Sequence, residues 1–158
     1  MPTAPRSRRL LAVGAVAAPL ALAAGALVDA GSERVMVRDS GGRVVASAEL
    51  PEDGRFALDY VHSYYRAPAQ ERFTAGHDGS FRLESVASRR AAVLDYYELA
   101  GRRVSDAGRL RLFPDAQRRY ERLPLIATAT GRRTLVVGKH RLPLYGERAR
   151  HLTIELEG

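Results

Sequence analysis

His62 and Glu71 are the residues of this 158-residue chain whose types and spacing could do chemistry. They share one stretch, Phe56 to Phe73, which alternates like a strand, passes His62-Ser63, turns near Pro68 and alternates again. If Tyr65-Arg66-Ala67-Pro68 forms the loop, Tyr64 opposes Ala69, His62 opposes Glu71 and Tyr60 opposes Phe73. The Cβ atoms of His62 and Glu71 would then lie roughly 5 Å apart on one face. A carboxylate so placed would hold the imidazole in one tautomer and raise its basicity. Such a pair can act as a base, bind a cation or ligand, or satisfy a polar core position. Tyr60, Ser63 and Tyr65 flank it. These five residues form the candidate binding or docking set, and no catalytic set is assigned.

Other chemistries find less support. Ser63 follows His62 directly, but neighbouring side chains on a strand point to opposite faces. There is no G-x-S-x-G nucleophile signature. His62, His77, His140 and His151 are scattered, without H-x-H or H-E-x-x-H spacing, and the chain has no cysteine. No metal or cofactor is therefore expected. The net charge is +7, with Lys139 the sole lysine. The arginines come as dispersed pairs, such as Arg89-Arg90, Arg102-Arg103, Arg118-Arg119 and Arg132-Arg133. Dispersal describes a solvated face rather than a nucleic-acid site, with a polyanion site as the lesser reading. If Tyr64-Tyr65 and Tyr96-Tyr97 lie on strands, each pair exposes one ring that can stack on a sugar or a partner.

The elements that position these residues follow a leader. Residues 1–9 carry Arg6, Arg8 and Arg9 and no acid, and Leu10 to Val28 are uncharged. This is the pattern of a signal peptide over residues 1–30 or, uncleaved, of a membrane anchor over 10–28. Ser7-Arg8-Arg9-Leu10-Leu11 partly resembles a twin-arginine export signal. The expected location is thus outside the cytoplasmic membrane, secreted or anchored.

Beyond the leader, residues 33–157 read as one β-domain. Arg34–Arg38 and Arg43–Leu50 make a hairpin around Asp39-Ser40-Gly41-Gly42. Gly76-His77-Asp78-Gly79 is a turn, and Phe81–Val86 alternates. Val93–Leu99 fits a strand or a helical turn, and its two tyrosines favour strand. Gly101–Gly108 reads as a polar turn and Arg109–Phe113 as a strand. Asp115–Arg122, between Pro114 and Pro124, is the best helical candidate. Leu125–Thr130, Arg133–Val137, Arg141–Tyr145 and His151–Glu157 complete the strands, with a turn at Gly138-Lys139. About ten short strands separated by turn residues predict an all-β antiparallel sandwich or barrel-like domain.

Tyr60-Val61-His62-Ser63, Pro68 and Glu71 together resemble the central motif of DUF1850, a bacterial family of unknown function. Its members are short, begin with a membrane-targeting segment and look like neighbours of TAXI-type TRAP transporters. The family's Gly-rich segment is replaced here by Ala91-Ala92-Val93-Leu94-Asp95. The resemblance implies location and transport context, and the leading reading is a non-enzymatic accessory domain that binds a TRAP transporter component or a small solute through the face around His62 and Glu71. Two other readings stand beside it: an extracytoplasmic hydrolase or metal-dependent enzyme using His62 and Glu71, and a cell-envelope polymer binder using arginine and tyrosine.

Overall fold

The computed structural model describes residues 33–158; the leader expected over residues 1–30 lies outside them. Alternation of apolar and polar residues produces twelve strands. They are β1 (Arg34–Asp39), β2 (Val44–Glu49), β3 (Arg55–His62), β4 (Ala67–Ala75), β5 (Phe81–Ser88), β6 (Gly101–Asp106) and β7 (Arg109–Pro114). The series continues with β8 (Arg119–Tyr120), β9 (Arg122–Ala127), β10 (Thr134–Val137), β11 (His140–Pro143) and β12 (Arg150–Glu157). One short helix, α1 (Ala91–Asp95), interrupts them.

Two antiparallel sheets result. The smaller has the order β2-β1-β12-β9, and the larger runs β11-β10-β3-β4-β5-β7-β6, with β8 added beside β5. Their inner faces meet in one core. Val35 and Val37 of β1, Leu152 and Ile154 of β12 and Leu125 of β9 close on Phe56, Leu58, Phe73, Val86 and Leu135 of the larger sheet. In β1 and β12 alternate residues are buried, as in a pleated strand with one covered face, whereas β3 and β5 also bury consecutive residues such as Phe56-Ala57-Leu58 and Val86-Ala87. Phe56 stacks on Phe73 across β3 and β4 at 5.1 Å, and Phe81 meets both rings edge-on. The described residues form an all-β sandwich.

Three local expectations are overturned. Ala91–Asp95 is helical, because Ala91, Ala92 and Leu94 are good helix formers. Its Val93 and Leu94 are both fully buried, in two adjacent clusters. Gly101–Asp106 is strand β6, and the turn contracts to Ala107-Gly108, both at positive φ. This two-residue hairpin geometry matches the twist of the flanking strands. Asp115–Arg122 is not a helix: Arg119–Tyr120 pairs with β5, and the Tyr120 ring stacks on Phe81 at 5.7 Å. A helix of that length is marginal in isolation, so aromatic packing decides.

Candidate functional site

The β3–β4 hairpin carries the site, and its register differs from the expected one. Ser63 to Arg66 form the loop, closed by the Arg66 N–H donating to the His62 carbonyl at 2.7 Å, with Arg66 at a φ of 48°. His62 therefore opposes Ala67, Tyr60 opposes Ala69, Leu58 opposes Glu71 and Phe56 opposes Phe73. The expected His62–Glu71 pairing is incorrect. Glu71 lies four residues up β4 from the partner of His62, roughly 13 Å along the strand. The shift is an even number of residues, so both side chains still face inward.

Pro68 explains the discrepancy. It was expected in the loop, yet it lies in β4 opposite Val61. The Val61 N–H donates away from β4, to the Gly131 carbonyl at 2.8 Å. On its other side, β4 begins its ladder with β5 only at Ala69, opposite Ser88. A missing N–H at Pro68 thus costs no ladder bond, and its carbonyl accepts from the Ser88 hydroxyl at 2.8 Å.

Glu71 finds its partner in Tyr97, just beyond α1. The chain turns through Tyr96 and Tyr97 at the end of the helix, the Tyr96 N–H donating to the Ala92 carbonyl at 3.1 Å. This sends Tyr97 inward and leaves Tyr96 65% exposed. The Tyr97 hydroxyl donates to Glu71 Oε1, and the Tyr60 hydroxyl completes the chain by hydrogen-bonding Tyr97. Glu71 retains some exposure as a residue, but its carboxylate is enclosed by protein. That burial pushes its pKa above the usual carboxylate range, against the opposing pull of the Tyr97 hydrogen bond and the nearby Arg133 charge. The Tyr60 and Tyr97 hydroxyls are driven upward, first by burial and then by the Glu71 charge, so both remain protonated donors.

His62 belongs to a separate aromatic group. Its ring is 7% exposed, edge-on to Tyr96 at 4.7 Å and tilted against Tyr65 at 5.1 Å. Nδ1 faces the Tyr65 N–H at 3.4 Å. Burial, and then the Arg133 charge, lower its pKa. This reverses the raised basicity expected from a carboxylate neighbour: His62 is a neutral ring just beneath the surface. Ser63 is exposed at the start of the loop, and among the described residues no hydrogen bond joins it to His62.

The two groups face one cleft of about 510 Å³. Of the five expected residues, Tyr60, His62, Ser63 and Glu71 line it, and Tyr65 braces His62 from beside it. Sequence reasoning missed Arg133, Tyr97 and Arg118 as members of the lining. Arg133 precedes β10 and lies over the Tyr60 ring at 4.9 Å, its Nε donating to the Ile126 carbonyl at 3.1 Å. Position alone gave little signal for it, although the small residues and leucine of α1 do mark the helical turn that delivers Tyr97. The cleft thus joins a proton-bearing floor, a neutral imidazole and two guanidinium groups. Among the described residues, no group of three or more His, Asp or Glu side chains could hold a metal ion. Comparison of the chain with family models, curated proteins and solved structures finds no match.

Proposed function

We propose that the chain is a non-enzymatic binding domain outside the cytoplasmic membrane, taking a small organic acid into the cleft beside Glu71 in support of TRAP-type solute uptake. The observation that carries the binding reading is the enclosed Tyr60–Tyr97–Glu71 chain opening toward Arg133. A buried polar chain costs stability unless fully satisfied. Here its inner members bond one another, while the guanidinium of Arg133 keeps donors free of ion pairing among the described residues. A ligand carboxylate beside Arg133 would accept charge-assisted hydrogen bonds from its guanidinium. Aromatic edges of Tyr96 and Tyr97 suit an apolar ligand body. Location and transport context rest on the basic, then apolar, residues 1–28 and on the resemblance to DUF1850.

Titration calorimetry with a panel of short mono- and dicarboxylic acids tests the reading. Arg133→Gln should weaken the bound acid at least roughly tenfold, as loss of a charge-assisted pair does. Chemical turnover of any ligand, or affinity untouched by Arg133→Gln, would refute it. Co-purification from membranes with and without His62→Ala tests the transporter link separately.

A further inference from the structure

The reverse face of the larger sheet carries a second feature, which shares Tyr60 and Val61 with the lining of the cleft. A groove of about 1020 Å³ is lined by residues from both the β11 and the β7 ends of this sheet. Residues of β11, β10, β3, β4 and β7 line it, with Arg89 just beyond the end of β5. Five strand spacings at ~4.8 Å give a path of about 24 Å across the sheet.

The lining holds five arginines against two aspartates. Asp59 is already engaged by Arg141 at 2.8 Å and by Gln70 at 2.7 Å. Among the described residues, no ion pair engages Arg89, Arg109, Arg111 or Arg132. Arg109 and Arg111 are alternate residues of β7, so both point into the groove about 7 Å apart. Arg111 is fixed by donating to the Ser85 hydroxyl at 3.0 Å, and burial together with the Arg72 and Arg109 charges lowers its pKa. Arg132 holds a φ of 47° and lies over the Tyr145 ring at 5.9 Å, which aims it at the same space. Like charges gathered on a concave face repel one another, and Asp106, paired across the hairpin with Arg109, offsets them only in part. An oxyanion ligand would relieve that repulsion.

We infer that this groove binds an extended chain bearing repeated oxyanion groups, such as a segment of an anionic envelope polymer, through Arg89, Arg109, Arg111 and Arg132. Length decides against a single small anion, because the charges are spread along the groove. Concavity decides against a flat lipid surface, which could not reach its floor. Arginine forks match phosphate and carboxylate alike, so either repeat fits.

The full chain should be titrated with short-chain polyphosphate and with polyglutamate, using inorganic phosphate, anionic vesicles and single-stranded DNA as comparators. At least one of the first two should bind, more tightly than inorganic phosphate, with affinity falling steeply as salt rises. The double variant R109Q/R111Q should lose roughly tenfold or more, while R34Q/R122Q, equal in charge on the smaller sheet, should lose little. If R109Q/R111Q does not fold, Arg89→Gln and Arg132→Gln, both at exposed positions, carry the same test. Absence of binding, equal loss in R34Q/R122Q, or tighter binding to vesicles or DNA than to either polymer would overturn the inference.

Discussion

Two groups in the cleft titrate in opposite senses. Burial raises the Glu71 pKa above the ~4.3 of an unfolded glutamate, so between those values the native state binds more protons. Its contribution is therefore favourable at low pH and is lost as pH rises through that window. His62 is lowered below the ~6.5 of an unfolded histidine, so stability falls as pH drops through 6.5 toward its native value. Glu71→Gln keeps the shape and an acceptor for Tyr97 while removing the charge. It should raise the melting temperature above pH 7 by a few degrees, about 1 kcal/mol, and much less near pH 4. Melting curves across pH check this; a difference constant with pH would contradict it. His62→Gln should flatten the acid-side loss, and nuclear magnetic resonance titration of His62 should give a pKa below the free-residue value. Sequence showed that His62 and Glu71 share a face, because parity along a strand survives a register shift. It did not show that tyrosines separate their roles, because Tyr97 arrives from a segment whose helical form depends on the core it fills.

At the element scale the β3–β4 register is the feature most open to test. Val61 and Pro68 form a pair without hydrogen bonds between them, with Cα atoms expected about 4.5 Å apart, within reach of a disulfide. In a chain without cysteine, V61C/P68C should crosslink on oxidation and H62C/E71C should not, as read by gel mobility. A second test lies at the β6–β7 hairpin. A Cβ on Gly101 would sit 2.1 Å from the Phe113 carbonyl oxygen, so the strands can pair there only with glycine. Gly101→Ala should cost about 2 kcal/mol or more and speed hydrogen exchange across β6 and β7. Hairpin positions were legible where turn residues announce them, as at Gly138-Lys139. The β6 strand was hidden because its residues are mostly exposed, leaving no apolar alternation to detect.

For the whole molecule, the all-β sandwich followed from alternation in strands such as Arg150–Glu157, where Leu152 and Ile154 are buried as the pattern requires. The division into sheets was not legible. β1 pairs with β12 from the far end of the chain, and nothing local encodes so distant a neighbour. The core is joined at the aromatic cluster of Phe56, Phe73, Phe81 and Tyr120. Phe73→Ala should therefore cost about 3–5 kcal/mol, measured by denaturant unfolding. The exposed outer strand β6 has a consequence for behaviour at high concentration. Arg102, Arg103 and Asp106 stud a border whose peptide groups would otherwise invite another copy to dock and polymerise. Their charges act as gatekeepers against fibre growth, so neutralising Arg102 and Arg103 would endanger solubility before it endangered the fold.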